Sequence, residues 1–163
     1  MTRVRLSMWG LALSIALGGC SNASSDHGSA ESGVVSDPTC GGRAEVVAAG
    51  LRKISAGGYA FELTALDPAV PVQSAGPPGN HWTLSVSDPD GLPVSGGTLI
   101  ITSYMPDHAH SGPPAVAVER GQGIYEVDAL VLPMPALYAI TSILTLPGGE
   151  KESVVLSLCM SSS

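Results

Sequence analysis

The sequence predicts an all-β protein whose main domain is an antiparallel immunoglobulin-like β-sandwich of about seven strands. Three observations support this prediction. Short runs of β-branched and aromatic residues alternate with small or polar residues. Turn-forming Gly, Pro, Asp and Asn residues separate these runs at short intervals. No segment keeps a helical period over a useful length. A β-barrel is the alternative architecture.

The clearest strand is predicted at residues 81–87, where Trp82, Leu84 and Val86 share one face and small hydroxyl side chains share the other. An earlier strand is predicted at residues 59–64. Between them, residues 67–79 carry four prolines, which indicates a loop or an extended edge segment. We expect Trp82 to lie at the centre of a core made mainly of Val, Leu and Ile.

Residues 97–105 are apolar on both faces, which favours a central strand. Pro106 has no amide hydrogen, so we expect this strand to stop there and residues 107–114 to form a loop. The remaining strands are predicted at 116–119, 124–127, 138–146 and 154–158, with a hairpin turn at Arg120-Gly121-Gln122-Gly123. Residues 40–55 fit either a short helical turn or an extended segment.

Residues 1–19 are predicted to be a lipoprotein signal peptide. Two arginines precede an uncharged, largely apolar run at residues 6–17, which is shorter than the about 20 residues of a membrane-spanning helix. The motif Leu17-Gly18-Gly19-Cys20 resembles the bacterial lipobox, whose cysteine is lipidated; an ordinary secretory signal is the alternative. Ser21 then favours the outer membrane, by resemblance to Gram-negative sorting rules. We expect an envelope protein anchored at Cys20 that faces the periplasm or the cell surface.

The expected mature chain is acidic and long enough for one domain. The sequence has 7 basic and 14 acidic side chains, and removing the signal peptide removes two of the basic ones, which leaves a net charge of −9. Such a charge argues against binding to nucleic acid or to anionic membrane surfaces. Residues 20–38 contain few apolar side chains and are predicted to be a flexible tether. Residues 39–163 then form the β-sandwich domain.

The cysteine count predicts a disulfide between Cys40 and Cys159. Of the three cysteines, Cys20 is assigned to the lipid, and two remaining cysteines near the ends of an exported domain usually pair. A redox or metal-binding role for the pair is disfavoured because no CxxC spacing is present.

The segment Tyr104-Met105-Pro106-Asp107-His108-Ala109-His110 is the most chemically distinctive part of the chain. Thioether sulfur prefers Cu(I), whereas imidazole binds Cu(I), Cu(II) and zinc. Met105, His108 and His110 lie close enough along a proline-containing bend to project to one side. They are therefore candidate ligands of copper, with Cu(I) favoured, and Asp107 would add an oxygen ligand for Cu(II).

A set of landmarks in chain order resembles the YtkA-like or FixH-like family of exported bacterial immunoglobulin-like domains. The landmarks are Gly79-Asn80-His81-Trp82-Thr83-Leu84-Ser85-Val86, Asp90-Gly91-Leu92-Pro93-Val94, Met105-Pro106-Asp107-His108-Ala109-His110, Gly123-Ile124-Tyr125 and Leu132-Pro133-Met134-Pro135-Ala136-Leu137-Tyr138. The resemblance covers roughly residues 59–158. The last landmark departs from the family pattern, since Ala136 replaces a glycine and Tyr138 replaces a tryptophan.

The resemblance implies an immunoglobulin-like fold and an association with copper handling and cytochrome oxidase assembly, whose proteins would be the partners. It also adds Met134 to the candidate ligands, as the family-matched residue of a second loop. Strand order in such a sandwich can bring the two loops to the same end, where Met105, His108, His110 and Met134 would form a two-Met, two-His site.

Each candidate ligand also has a structural interpretation. Met105 continues the face of Leu99 and Ile101 and fits the core, Met134 fits a plug at the end of the sandwich, and His108 or His110 fits a cap of loop backbone groups. His81, at the start of a strand, is expected to be structural, though it could lie near the same end.

Two functions therefore remain open. One is a copper-binding or copper-delivering lipoprotein, and the other is a structural or protein-interaction module of the envelope. A methionine sulfur that points into the sandwich would favour the second. We expect no enzymatic activity, because the sequence has no nucleophile elbow, no H-E-x-x-H motif and no phosphate-binding glycine loop.

Overall fold

A computed structural model describes residues 40–161 as two antiparallel β-sheets of five strands each. The predicted signal peptide, the tether and Cys20 lie outside the described residues. No helix within residues 40–161 is long and apolar enough to cross a membrane. The ten strands are β1 (Arg52–Ile54), β2 (Ala60–Asp67), β3 (Asn80–Ser87), β4 (Thr98–Met105), β5 (His110–Ser111), β6 (Ala115–Val116), β7 (Val118–Gly121), β8 (Ile124–Leu130), β9 (Ala136–Thr145) and β10 (Lys151–Met160).

The strand order is that of an immunoglobulin-like sandwich. One sheet has the order β1-β2-β3-β8-β7, and the other has the order β10-β9-β4-β5, with β6 also paired to β4. Without the short β1, these orders correspond to the ABED and GFC sheets of immunoglobulin domains. The predicted antiparallel β-sandwich is therefore confirmed, and the barrel alternative is wrong.

Residues 40–161 form ten strands and not about seven. The three additional strands are β1, with three residues, and β5 and β6, with two residues each. Runs this short show no alternation in the sequence, because they form only where a neighbouring strand offers its backbone groups. As a result, β1 precedes the strand predicted at 59–64, and β5 interrupts the loop predicted at 107–114. The segment left open at 40–55 is not helical beyond a single turn at Cys40.

The core lies between the two sheets, on alternate residues of their strands. The predicted inward face of β3 is confirmed, since Trp82, Leu84 and Val86 are all buried. Opposite them lie Leu99 and Ile101 of β4 and the inward residues of β9. The alternation of buried and partly exposed residues along β3, β4 and β9 gives each sheet one inner and one outer face.

Asn80 anchors the proline-rich loop at one end of the sandwich. Its side chain is fully buried. Its Oδ1 accepts a hydrogen bond from the Val72 amide at 2.8 Å, and its Nδ2 donates to the carbonyl oxygens of Val72, at 2.9 Å, and Leu130, at 3.1 Å. Since a buried amide without partners is costly, these bonds fix the loop against β8.

The predicted disulfide is present. Cys40 and Cys159 are bonded, with their Cα atoms 6.0 Å apart and a sequence separation of 119 residues. Cys40 packs with Ala44 and Leu137 in a small apolar cluster of its own. The bond therefore holds the first described residues against the beginning of β9 and the end of β10.

Candidate functional site

The structure places the two candidate loops at the same end of the sandwich. Strand β4 ends at Met105 and β9 begins at Ala136, and the register pairs Tyr104 with Ala139. The segment after β4 and the segment before β9 therefore leave the sheet on the same side. The disulfide lies at this end too, because Cys159 pairs with Leu137.

The two candidate methionines, Met105 and Met134, differ in their burial. Met105 is 0% exposed and belongs to the main core. Met134 is partly buried and packs against that core. Its backbone is held by Tyr138, whose Oη donates to the Met134 carbonyl at 2.7 Å and lies 3.3 Å from the Met134 amide. Burial raises the pKa of Tyr138 above its usual value of 10.0, so this phenol stays protonated as a donor.

The two histidines of the turn are exposed neighbours. The ring centroids of His108 and His110 lie 5.9 Å apart in an edge-to-face arrangement. The His108 amide donates to the Met105 carbonyl at 3.2 Å, which closes the turn. The Nδ1 of His110 lies 3.2 Å from the His108 carbonyl oxygen. A hydrogen bond there needs the proton on Nδ1, which leaves Nε2 as the nitrogen with a free lone pair.

Asp107 is held by an arginine that the sequence analysis did not single out. Arg43 Nη1 donates to Oδ1 at 3.1 Å and Arg43 Nη2 donates to Oδ2 at 2.6 Å. The hydrogen bond from Arg43 lowers the pKa of Asp107 below its usual value of 3.8. Both carboxylate oxygens are thus engaged, so Asp107 is not a free oxygen ligand in this arrangement.

The geometry therefore separates the four candidate ligands. The imidazoles of His108 and His110 lie together at the surface, whereas the Met105 sulfur lies in the core. Within residues 40–161, no group of three or more His, Cys, Asp or Glu side chains is arranged to hold a metal ion. The Met105 sulfur is therefore not grouped with the two imidazoles at the surface.

His81 is occupied by an acidic neighbour. His81 is the second residue of β3 and is partly exposed. Its Nδ1 lies 3.2 Å from an Asp128 carboxylate oxygen. This contact agrees with the structural role expected for His81.

The outer face of the second sheet is almost free of charged side chains. Its outward side chains alternate with the buried ones along β4, β9 and β10. We name as the uncharged face the side chains of Thr98, Ile100, Thr102, Tyr104, Ala139, Thr141, Ile143, Thr145, Ser153, Val155 and Ser157. Lys151 stands at one corner of this face, and Val116 of β6 pairs with Ile100 at its edge.

The outer face of the first sheet is charged by contrast. Its outward positions on β1, β2, β3, β7 and β8 include Arg52, Glu62, Asp67, His81, Arg120, Glu126 and Asp128. A signal for this difference was available in the sequence, because the polar residues of β4 and β9 are all Thr, Ser or Tyr. In the sequence alone these residues indicate only where the strands lie.

An apolar cleft of about 300 Å³ lies beside the disulfide. Its walls come from the segment before β1, from the proline-rich loop and from the end of β10, and include Val46, Val70, Pro71 and Leu158. None of the candidate copper ligands lines this cleft. It is therefore separate from the histidine turn.

Comparison with protein-family models, with curated proteins and with solved structures finds no match to this chain. The resemblance to YtkA-like domains accordingly rests on the residues described above.

Proposed function

We propose that this protein is a non-catalytic interaction module of the bacterial cell envelope, which binds another protein through the uncharged face. The observation that carries the proposal is the charge asymmetry between the two sheets of one acidic domain. Charged residues are depleted in the centres of protein interfaces, where Tyr and apolar side chains are enriched. The uncharged face matches this pattern in its lack of charge over three neighbouring strands, and it carries one tyrosine and three branched aliphatic side chains among its Thr and Ser residues, whereas the outer face of the first sheet is charged.

The exposed apolar residues of the second sheet support this assignment. Val116 is 60% exposed, Val155 is 51% exposed and Tyr104 is 44% exposed. Single exposed apolar residues are ordinary, but here they share one face with the partly exposed Ile100 and Ile143. Thr and Ser side chains between them can donate and accept hydrogen bonds across an interface without bringing a charge into it.

The proposed location is the envelope, with the lipid on Cys20 and residues 20–38 as the tether. The disulfide between Cys40 and Cys159 supports an oxidising compartment, because structural disulfides are rare in the reducing cytosol. The signal-peptide and lipobox patterns point to the same compartment. The resemblance to YtkA-like domains supports partners in copper handling or oxidase assembly.

Site-specific photo-crosslinking in living cells tests the proposal. A photoreactive amino acid is placed at Thr102, in the middle of the uncharged face, and in a matched control at Thr83, on the outer face of the first sheet. Both residues are partly exposed threonines in central strands, so the two variants differ mainly in the surface they probe. We expect a discrete protein adduct from Thr102 and none from Thr83. Equal labelling at both positions, or no adduct at Thr102, contradicts the proposal.

Copper binding is the second candidate function, and the pair of exposed imidazoles is the observation that favours it. His108 and His110 are adjacent and solvent-accessible, and two imidazoles suit Cu(I) or Cu(II). Met134 lies at the same end of the sandwich. It is only partly buried whereas Met105 is fully buried, so Met134 is the more accessible of the two methionines. The proposed copper site therefore centres on His108 and His110.

A Cu(I) competition titration of the full chain in detergent tests this second function. The His108→Ala/His110→Ala variant is compared with His81→Ala, which removes a histidine that already faces Asp128. Copper binding tighter than about micromolar, which corresponds to roughly −8 kcal/mol, is expected to persist in His81→Ala and to be lost in the double variant. Binding that survives the double variant, or absence of binding in the unchanged protein, contradicts a copper site at this turn.

A further inference from the structure

We infer that the partner of the uncharged face is a second copy of this chain, which packs against it face to face as a two-fold symmetric dimer. This inference rests on the proposed function, because it names the partner of the same surface. Two features of the face support self-association over a different partner: its pattern of rows and its charge.

The uncharged face is self-complementary in its pattern. Ile143, Ile100 and Val116 are cross-strand neighbours and form one apolar row across β9, β4 and β6. A row of threonines lies on either side of it, Thr145 with Thr98 and Thr141 with Thr102. A two-fold axis that lies in the plane of the face places the apolar row against its own copy. It also places hydroxyl rows against hydroxyl rows, as an isologous contact requires.

Charge favours the same arrangement. Two copies of an acidic chain repel each other wherever their carboxylates face one another. The outer face of the first sheet carries four carboxylates, those of Glu62, Asp67, Glu126 and Asp128, against the two arginines Arg52 and Arg120, so two such faces would each bring a net negative charge into the contact. No side chain of the uncharged face carries a carboxylate, and Lys151 stands outside its centre. The carboxylate of Glu45 accepts from the Ser157 amide at the edge of the face and is paired with Lys53.

The size of the face corresponds to a weak dimer. Strands lie about 4.8 Å apart and same-face side chains about 6.8 Å apart along a strand, so three to four strands with four outward positions each offer about 400 Å² of flat area. Two such faces would bury about 800 Å² in total, which is less than the about 1,200 Å² of standard specific interfaces and corresponds to a weak contact. Anchoring both copies in one membrane would increase the occupancy of such a contact, because confinement to a surface raises their local concentration.

The position of the tether selects one of the two possible axes. Cys40, to which residues 20–38 lead, is fixed by the disulfide at the end of the sandwich where β9 begins. An axis parallel to the strands keeps both Cys40 residues at the same end of the dimer. An axis across the strands places them at opposite ends. An axis parallel to the strands lets both copies attach to one membrane without extending either tether, so we place the axis parallel to the strands, with Thr102 and Thr141 near it.

The photo-crosslinking experiment at Thr102 distinguishes this inference from the proposed function. We expect an adduct with the mass of two copies, which two differently tagged chains expressed together confirm. A discrete adduct with one other protein retains the proposed function and overturns self-association. No adduct at Thr102 overturns both.

Charge substitution provides an independent test. Thr102→Asp and Thr102→Lys each place two like charges near the axis, and each variant expressed alone is expected to lose dimer crosslinks at Thr141 by about tenfold or more. Expressed together, the two variants place opposite charges there and are expected to restore the crosslink. Circular dichroism and retention of the disulfide control for folding. A loss that the mixed pair does not restore overturns the inference, since a folded dimer must respond to the paired charges.

Discussion

Met105 and His110 pair directly across β4 and β5, yet their side chains lie in opposite environments. Met105 is fully buried in the core, whereas His110 is exposed at the edge of the sheet. The backbone pairing therefore brings a thioether and an imidazole into neighbouring positions without exposing the sulfur. One residue of this pair thus belongs to the core and the other to the surface, although the sequence predicts both as ligands of one copper site.

The buried position of Met105 predicts that its volume matters and its sulfur does not. Met105→Leu keeps the volume and is expected to lower the free energy of unfolding by less than about 1.5 kcal/mol. Met105→Ala leaves a cavity and is expected to lower it by about 2–5 kcal/mol. Urea denaturation of the full chain in detergent measures both values.

The same pair of variants tests the ligand role of Met105. If the full chain binds Cu(I), Met105→Leu is expected to bind it as tightly as the unchanged protein. A large loss of copper affinity in Met105→Leu, with stability retained, would show that the sulfur is a ligand.

The contact between Arg43 and Asp107 predicts a specific pH dependence at the histidine turn. The hydrogen bond from Arg43 lowers the pKa of Asp107 in the folded protein. A lowered carboxyl pKa contributes stability above the unfolded value of 3.8, and that contribution is lost as the pH falls through the folded value. The contact is therefore expected to stay intact at neutral pH and to be lost only in strong acid.

Carboxyl carbon NMR of Asp107 measures this dependence directly. In Arg43→Gln, the Asp107 carboxyl is expected to titrate at higher pH than in the unchanged protein. The melting temperature is expected to change little, because both side chains are about half exposed and exposed ion pairs contribute little to stability. Identical titration midpoints in the two proteins would contradict a role for Arg43.

Period-two alternation was sufficient to predict the long strands, because a strand between core and solvent must alternate. Strand β3 shows this pattern over its whole length, and its buried residues are the ones that the sequence predicts. The same rule places Met105 inside, since it has the parity of Leu99 and Ile101. Parity therefore already favoured the core interpretation of Met105 over the ligand interpretation.

Other features depend on contacts between distant parts of the chain. Arg43 and Asp107 are 64 residues apart, and nothing in the local sequence of either residue indicates the other. The two residues of β5 form a strand only because the end of β4 lies beside them. The different charge of the two outer faces becomes visible only when strands are assigned to sheets.

In the β7–β8 hairpin, replacement of Gly121 and of Gly123 by alanine is expected to differ greatly in its cost to stability. Gly121 has a φ of +87°, and a Cβ atom there would meet nothing within 4 Å. Gly123 has a φ of +72°, and a Cβ atom there would collide with the Val86 carbonyl oxygen. Gly121→Ala is expected to cost about 1–2 kcal/mol for the left-handed backbone alone. Gly123→Ala is expected to cost at least about 3 kcal/mol, because the backbone must also move.

Thermal or urea unfolding measures the loss of stability in each variant. Each variant serves as the control for the other. Both remove a glycine of positive φ from the same hairpin, so the difference between them reports the contact with β3. Equal losses would mean that the hairpin and Val86 are not in contact as described.

The disulfide predicts a large effect on stability. Cys40 and Cys159 are 119 residues apart in sequence, and in the chain-entropy model a loop of about 100 residues contributes about 4–5 kcal/mol by restricting the unfolded chain. Cys40→Ala/Cys159→Ala is expected to lower the free energy of unfolding by about 2–5 kcal/mol, with alanine chosen because Cys40 lies in an apolar cluster.

Reductant separates the crosslink from the packing of the two cysteines. If the crosslink causes the stabilisation, reductant is expected to destabilise the unchanged protein by a similar amount and to leave the double variant unaffected. The expected lipid attachment at Cys20 does not interfere, because it leaves no free thiol at that position. A double variant as stable as the unchanged protein would mean that the sandwich alone holds the first described residues against β9 and β10.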